Sequence, residues 1–317
     1  MTLGPDGWQV NLSQGIVLLS SPHSNWLYAY SSGGGLLWKR SLSWPLTQEP
    51  PMQDGLLLLQ QKGQPAVLLQ PETGEFRQRL DRQFSGWAVV RDANSWLRLG
   101  ADGQLSLGSP DWTQWQPKVQ LRLDHGDQWL GPPVLSGSAV YVASARGQMQ
   151  RVDLNTWKSR RLPPVKHPLL SPQAHPNGVM EVSADGLLTL IREGSSWVQR
   201  FPGQGNCYSR EGEILARPCV DDVGNIYLAT RPALMSWDVN GKLRWSKALS
   251  CTSPVRWHQQ SCYVVDGGPA LLRLSDQTGA VVERVSLPAR PSGQLAIEKQ
   301  LLALALANGE VLVRSTP

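Results

Sequence analysis

The side chains best suited to chemistry in this chain are histidines, and five of them are present. They lie in different parts of the chain without a shared spacing: His23, His125, His167, His175 and His258. No nucleophile elbow, zinc-protease motif or EF-hand loop accompanies them. We therefore expect each histidine to be a surface residue or a hydrogen-bonded loop residue, and the sequence predicts no catalytic residue.

Two further motifs could bind ions. The doublet Asp221-Asp222 could contribute carboxylates to a calcium site, but it precedes Gly224-Asn225, and a turn of this kind uses aspartate without a metal. The run Gly33-Gly34-Gly35 could approach a phosphate, but no helix follows it to supply the N-terminal amides. The sequence therefore predicts turns at both places, with no metal and no cofactor.

Four cysteines fall in the last third of the chain: Cys207, Cys219, Cys251 and Cys262. They form no C-x-x-C motif and have no nearby pair of histidines, which disfavours a zinc site. In a reducing compartment we expect free thiols. In an oxidising compartment the pairings to test are Cys207 with Cys219 and Cys251 with Cys262.

The charge of the chain is mildly basic, with a formal net charge of +5. The densest basic run contains Lys158, Arg160, Arg161, Lys166 and His167. Such a run is typical of a solvated outer strand, or of a site for an acidic partner. Nucleic-acid binding is disfavoured because no aromatic residues alternate with the basic ones.

The beginning of the sequence has no targeting pattern. Residues 1–7 are short and polar, and no window contains the 18 or so apolar residues that a spanning helix needs. We expect a cytoplasmic protein without a membrane span. The expected location is periplasmic or secreted if the sequence is a processed form.

The elements that would position any site are revealed by an internal repeat. Eight short runs rich in Val, Ile, Leu or Tyr each end at turn-forming residues, which is typical of buried strands. The runs start at Gly15, Gly55, Ser95, Ala139, Gly178, Asn225, Ser261 and Leu301. Their spacing of roughly 40 residues is that of a four-stranded propeller blade. The sequence therefore predicts an all-β, eight-bladed β-propeller with four-stranded antiparallel blades.

Two repeats show the strand order within a blade most clearly. In repeat four, strands are predicted at 133–135, 140–143, 149–154 and 158–162. Repeat six follows the same order and contains Asn240-Gly241, for which we predict a type I′ hairpin turn because both residues tolerate positive φ.

The sequence leaves open how the ring closes and how many blades it has. The last repeat predicts three strands, at 295–298, 302–307 and 311–314, so its outer strand is either missing or contributed by residues 1–7. Seven blades plus an irregular segment is the alternative to eight. Residues 1–317 contain no linker and no charge block, so we expect a single domain.

A tryptophan motif gives the repeat a family resemblance. Residues 28–38 and 234–245 each run through a strand and a glycine turn to a second strand that contains Trp38 or Trp245, and residues 274–279 repeat the first half. This pattern resembles the PQQ-repeat, or quinoprotein-like, propellers, which are usually eight-bladed. The resemblance implies that the quinoprotein dehydrogenases of that superfamily need a vicinal Cys-Cys or an equivalent lid, and no Cys-Cys is present in this sequence.

The resemblance therefore implies the non-catalytic branch of the superfamily, whose members bind proteins and no cofactor. It implies a bacterial component of a multi-protein assembly or of an ATPase-associated system. The competing prediction is a small-molecule hydrolase or lyase at the mouth of the propeller channel, which convergent carboxylates or a bound ion would reveal. Nothing in the sequence indicates a homo-oligomer.

The candidate binding residues for a protein partner lie in repeats three and four. Trp112, Trp115 and Trp129 occupy the long insert of repeat three, and tryptophan and arginine are favoured in protein interfaces. The basic candidates are Lys158, Arg160 and Arg161. The alternative is that the tryptophans cover the outer face of their own blade.

Overall fold

The chain is described here by a computed structural model that covers residues 8–21, 24–43, 46, 52–53, 56–59, 67–79, 86–92, 95–109, 114–166, 168, 172–183, 186–192, 195–200 and 217–316. Its regular elements in these ranges are β-strands, arranged as eight antiparallel sheets. The predicted all-β class and the count of eight blades are confirmed, and the seven-bladed alternative is wrong.

Within each blade the strands pair in chain order. Blades 1 to 4 contain β1 Gln9–Ser13, β2 Ile16–Ser21, β3 Ser24–Ser31, β4 Leu36–Ser41; β5 Met52–Gln53, β6 Leu56–Leu59, β7 Val67–Leu69, β8 Phe76–Arg79; β9 Gly86–Asp92, β10 Ser95–Gly100, β11 Gln104–Gly108, β12 Trp115–Gln120; and β13 Val134–Ser136, β14 Ala139–Ala143, β15 Met149–Asp153, β16 Ser159–Leu162. Blades 5 to 8 contain β17 Gln173–His175, β18 Gly178–Val182, β19 Leu187–Arg192, β20 Ser195–Arg200; β21 Cys219–Val220, β22 Ile226–Ala229, β23 Ala233–Trp237, β24 Leu243–Ala248; β25 Arg256–His258, β26 Ser261–Val265, β27 Ala270–Ser275, β28 Val281–Ser286; and β29 Pro291–Glu298, β30 Leu301–Leu306, β31 Val311–Ser315.

The second strand of each blade is mostly apolar because both of its faces are covered. In β14 every residue is buried. Val140 and Val142 pack in a cluster with blade 3, whereas Ala139 and Tyr141 pack in a cluster with blade 5. A sheet held between two neighbours cannot show the polar alternation of a half-exposed sheet. This explains why the repeat is visible as eight apolar runs.

Eight hydrophobic clusters join successive blades and close the ring. The closing cluster packs Trp8 and Tyr28 of blade 1 against Ala296 and Ala303 of blade 8. In addition, the backbone N–H of Trp8 donates to the carbonyl of Ser292 at 2.8 Å. Burial of apolar surface therefore closes the ring. The predicted contribution of residues 1–7 to blade 8 lies outside the described residues.

A β-bulge recurs in the outer hairpin of blades 1, 2, 3, 6 and 7, where the register between the third and fourth strands shifts. The extra residues of these bulges are Leu37, Arg77, Lys118, Arg244 and Val282. A bulge increases the local right-handed twist of its strand. In blades 1, 2, 6 and 7 the bulge is at the second residue of the outer strand, so these strands twist at equivalent places although their sequences differ. In blade 3 it is at the fourth residue.

The predicted type I′ turn at Asn240-Gly241 is wrong. Gly241 has a φ of +84°, but Asn240 is not among the described residues with positive φ. The N–H of Gly241 donates to the carbonyl of Asp238, and the Asp238 carboxylate accepts from the N–H of Lys242. The aspartate therefore stabilises a longer turn in which only the glycine needs the left-handed region.

Candidate functional site

The two tryptophans of the sequence motif lie between blades. The indole N–H of Trp245 donates to the carbonyl of Asp276 at 2.8 Å, and that of Trp38 donates to the carbonyl of Pro71 at 2.6 Å. Each indole ring packs against a glycine in a turn of the next blade. A Cβ added to Gly279 would be 2.7 Å from the Trp245 ring, and one added to Gly74 would be 2.6 Å from the Trp38 ring. Trp245 therefore connects blade 6 to blade 7, and Trp38 connects blade 1 to blade 2. The indole N–H of each already has a hydrogen-bond acceptor in the neighbouring blade.

The predicted tryptophan anchors of blade 3 lie largely inside the ring. Trp129 is 7% exposed and belongs to the cluster between blades 3 and 4. Trp115 is half-buried, packs on Gly108, and has the guanidinium carbon of Arg98 4.7 Å from its ring centroid. Trp112 lies outside the described residues. The structure places Trp115 and Trp129 in blade packing, and their role as partner anchors stays a prediction.

The predicted basic residues lie on the outer hairpin of blade 4, and Lys158, Arg160 and Arg161 are all exposed. A guanidinium nitrogen of Arg161 is 3.2 Å from a carboxylate oxygen of Asp124. An ion pair this exposed contributes little to stability. Arg160 and Arg161 thus lie on the solvated strand β16 with Lys158 directly before it, and the partner-binding role of the three cations stays a prediction.

A second surface, which the sequence did not single out, lies on the outer hairpin of blade 1, β3 and β4, and on the outer strand of blade 2. We call it the outer patch. It contains four exposed apolar residues and two cations: Trp26, Leu36, Leu37, Lys39, Arg40 and Phe76. Trp26 is 40% exposed and Leu36 54% exposed. Lys39 and Arg40 are consecutive strand residues and point to opposite faces of β4, so Trp26 and Phe76 lie on opposite sides of this strand. Exposed apolar side chains grouped around one outer strand mark interaction surfaces more often than isolated ones do.

Cations lie over the aromatic rings of the outer patch. Nζ of Lys39 is 3.9 Å from the ring centroid of Trp26, and the guanidinium carbon of Arg40 is 5.1 Å from the centroid of Phe76. Cation–π contacts hold the two rings in place at the surface. The sequence feature that could have indicated this patch is Leu36-Leu37, directly after the glycine hairpin. Two consecutive leucines are unusual on an outer strand that faces solvent.

The acidic residue Asp221 is committed to its own turn. It is 5% exposed and accepts hydrogen bonds from the N–H of Val223, the N–H and side-chain amide of Asn225, and the hydroxyl of Tyr227. Burial and the neighbouring Asp221 raise the pKa of Tyr227. Asp221 therefore organises the β21 to β22 turn, as the sequence predicted.

One histidine links two blades. His175 is 2% exposed, its Nε2 is 3.0 Å from the carbonyl oxygen of Gly224 in blade 6, and its Nδ1 accepts from the N–H of Asn177. Because one nitrogen accepts and the other faces a carbonyl, the ring is neutral with the proton on Nε2. Burial lowers the pKa of His175. The prediction of a hydrogen-bonded residue is confirmed here.

The remaining histidines differ in their surroundings. His125 is exposed, as predicted. Nε2 of His258 is buried without a hydrogen-bond partner among the described residues, which the sequence did not predict. His23 and His167 lie outside the described residues.

Glu181 is a buried carboxyl that sequence reasoning missed. It lies in the middle of β18, is 1% exposed, and neither of its oxygens has a hydrogen-bond partner among the described residues. Burial raises the pKa of Glu181 to about 8. The available signal was a single glutamate between Met180 and Val182 in an otherwise apolar second strand.

Three of the four cysteines are free thiols: Cys219, Cys251 and Cys262. The sulfur of Cys219 accepts from the N–H of Trp257 at 3.2 Å. Burial raises the pKa of Cys251 to about 12. These thiols are protonated at neutral pH and therefore weak nucleophiles. Cys207 lies outside the described residues.

No group of three or more His, Cys, Asp or Glu side chains within the described residues is arranged to hold a metal ion. None of the described segments forms a helix long and apolar enough to cross a membrane. The alternative prediction of a hydrolase or lyase at the channel mouth stays untested.

Comparison with known proteins supports the repeat family. A family model described as outer membrane protein assembly factor BamB matches residues 7–282. No curated protein shows a significant match.

Several solved structures are similar to this chain at low identity. The computationally designed Ika8 protein is 12% identical, with 99% of this chain and 98% of that chain covered and a TM-score of 0.69. Sqt1 from Saccharomyces cerevisiae is 10% identical, with 100% and 98% covered and a TM-score of 0.70. BamB from Moraxella catarrhalis is 14% identical, with 98% and 83% covered and a TM-score of 0.49.

Proposed function

The chain belongs to the outer membrane protein assembly factor BamB family of PQQ-repeat propellers, and from this premise we propose that it is a non-catalytic protein-interaction scaffold. The finer proposal is a bacterial component of a multi-protein assembly, with an ATPase-associated system as the other setting. The cytoplasm is the proposed location for the chain as written, and the periplasm for a processed form.

The observation that carries the proposal is the outer patch. Aromatic residues and arginine are enriched where proteins bind each other, and a few of them supply most of the binding free energy. In this chain Trp26 and Phe76 are exposed and held by Lys39 and Arg40, so little side-chain freedom is lost when a partner covers them. The patch thus has both the composition and the preorganisation of a binding surface.

The experiment compares partner capture by the wild-type protein and by the double variant Arg40→Glu, Phe76→Ser in extracts of the native host. We expect at least one protein to be recovered with the wild type and reduced about tenfold or more with the variant, because a hot-spot residue contributes about 2 kcal/mol or more. Recovery would be quantified by mass spectrometry.

A matched control variant is Val282→Ser, which changes a residue that is 56% exposed on the outer strand of blade 7. It should retain the same partner, and all variants should show the wild-type circular dichroism spectrum and melting temperature. Equal recovery of every partner by the outer-patch variant and the wild type would contradict this assignment of the binding surface.

A further inference from the structure

The outer strands of the blades carry charges of almost one sign. The whole chain has 30 Lys and Arg against 25 Asp and Glu. The fourth strands described in blades 1 to 7, in contrast, contain eleven cationic residues and a single acidic one, Glu283. Protection of a strand edge favours lysine, but eight of the eleven cations are arginine, which binds carboxylates through paired hydrogen bonds. Edge protection alone therefore does not explain this composition.

Blades 4 and 7 differ at one equivalent pair of residues. In blade 7, Arg273 of the third strand pairs with Glu283 of the outer strand, and its Nε is 3.3 Å from a carboxylate oxygen of Glu283. The equivalent residues of blade 4 are Arg151 and Arg160, since each third-strand arginine also pairs with a tyrosine of the second strand. Like charges directly opposite each other in an antiparallel pair are destabilising. Blade 4 therefore carries two guanidinium groups where blade 7 has a pair of opposite charges.

The carboxylates beside the arginines of blade 4 compensate them only in part. Asp153 lies 3.7 Å from Arg151, but its carboxylate also accepts three hydrogen bonds from its own turn. Arg161 pairs with Asp124, and the two side chains are 58% and 67% exposed. An ion pair this exposed is weak, so a carboxylate from outside can replace Asp124 at little cost.

The shape and the chemistry of this surface favour a polypeptide as the ligand. The outer strands lie on the convex side of the ring, where a stiff duplex or a flat membrane would touch only a short stretch, whereas a flexible chain can follow the curve. Single-stranded nucleic acids bind by stacking their bases on exposed aromatic rings. The tryptophan next to Lys158 is Trp157, which is half-buried in the cluster between blades 3 and 4 and has Nζ of Lys118 5.6 Å from its ring centroid. Its ring is therefore poorly placed to stack on a base.

We propose that the outer hairpin of blade 4 binds an acidic segment of a partner protein, whose carboxylates pair with Arg160 and Arg161. Arg151 and Lys158 add to the positive potential, which speeds association with an acidic partner and excludes basic ones. The repulsion between Arg151 and Arg160 in the free protein is relieved when a carboxylate binds. This surface lies on a different blade from the outer patch, so the inference goes beyond the proposed function and does not depend on that patch.

The test is a titration of the full-length protein with a labelled peptide of sequence Ser-Glu-Glu-Ser-Glu-Glu-Ser-Glu-Glu-Ser, followed by fluorescence anisotropy at low and at high salt. We expect saturable binding at low salt that weakens about tenfold or more at high salt, because exposed charges are screened. Arg160→Glu combined with Arg161→Glu should weaken binding at low salt about tenfold or more. The matched control, Arg290→Glu with Lys299→Glu, makes the same change in net charge at exposed residues outside blade 4 and should stay within about threefold of the wild type.

Arg160→Glu alone separates binding from stability. It recreates in blade 4 the arginine–glutamate pair of blade 7, so the urea midpoint should stay the same or rise while the affinity for the peptide falls. A purely structural role of Arg160 predicts instead that stability and binding are lost together.

The proposal fails if the peptide does not bind saturably at low salt, if the control pair weakens binding as much as the Arg160 and Arg161 variant, or if Arg160→Glu lowers the urea midpoint. Tighter binding of oligothymidylate or of phosphatidylserine vesicles than of the peptide at the same salt would also overturn it, because the surface would then belong to a nucleic acid or a membrane. None of these outcomes involves the outer patch, so the two proposals fail separately.

Discussion

The contact between blades 6 and 7 and the contact between blades 7 and 8 use the same strand position differently. In blade 6 that position is Trp245, which pairs with Ser236 beside the bulge. In blade 7 it is Glu283, which pairs with Arg273 beside the equivalent bulge. Trp245 is 9% exposed and lies against Gly279 of the next blade, whereas the Glu283 side chain is 32% exposed and bonds Arg314 of the next blade.

The difference shows how one backbone repeat produces a sealed contact in one place and an open one in another. A buried indole excludes water from the outer margin of its blade and stabilises the contact by burial of apolar surface. A partly exposed ion pair keeps its water and contributes little. The outer margin of the ring therefore excludes water where the motif is complete, at blades 6 and 7, and is more accessible to water between blades 7 and 8.

The largest expected effect comes from removal of the sealed contact. Trp245→Ala should lower the free energy of unfolding by about 3–5 kcal/mol, because a large buried side chain is lost and a cavity is left. Trp38→Ala is the matched variant in blade 1, and its effect should be smaller because Trp38 is only half-buried. Urea denaturation followed by circular dichroism measures both. A loss below about 1 kcal/mol for Trp245→Ala would show that the indole does not hold blades 6 and 7 together.

A third type of contact, a buried carboxyl with no partner among the described residues, occurs at Glu181 in blade 5. Its pKa is raised from 4.5 to about 8, so the folded state keeps a proton that the unfolded state releases. This contribution to stability is fully present below pH 4.5 and is lost as the pH rises to about 8, at up to about 1.4 kcal/mol per pH unit. Glu181→Gln should remove that slope and gain about 3 kcal/mol relative to the wild type between pH 5 and pH 8.

The measurement for Glu181 is a series of urea denaturation curves at several pH values. Glu310→Gln changes an exposed carboxyl and should follow the wild-type pH dependence. Parallel pH profiles for Glu181→Gln and the wild type would mean that the carboxyl is not held neutral in the folded ring.

The smallest effect is expected at the open contact. Glu283→Gln should lower the free energy of unfolding by less than about 1 kcal/mol, because both ion pairs of this carboxylate are partly exposed. The difference from the wild type should shrink further in 0.5 M salt, unlike that of Trp245→Ala. Thermal melts at low and high salt measure both, and a loss as large as that of Trp245→Ala would remove the contrast between the two contacts.

Prediction from the sequence succeeded where a local pattern is repeated and failed where the surroundings decide. The strands of repeat four match β13 to β16 closely, and the three strands of the last repeat match β29 to β31. The turn at Asn240-Gly241 was wrong because the side chain of Asp238 accepts hydrogen bonds from the turn and favours a longer loop. For Trp129 the sequence left open a partner anchor or blade packing, and only the structure shows that it is 7% exposed in the cluster between blades 3 and 4. The outer patch was missed because the pair Leu36-Leu37 indicates an exposed apolar surface only once the strand is known to be the outermost one of its blade.

The sequence by itself determined the β-strands, their grouping into repeats and the family, because strand propensity, turn residues and a repeat of about 40 residues are local properties of the chain. Only the tertiary structure decided which tryptophans are buried, how blade 8 meets blade 1, and which carboxyl is enclosed in the ring. These depend on neighbours that are distant in sequence. Glu181 shows the reason most clearly: its type is written in the chain, but its raised pKa arises from the burial that folding imposes on it.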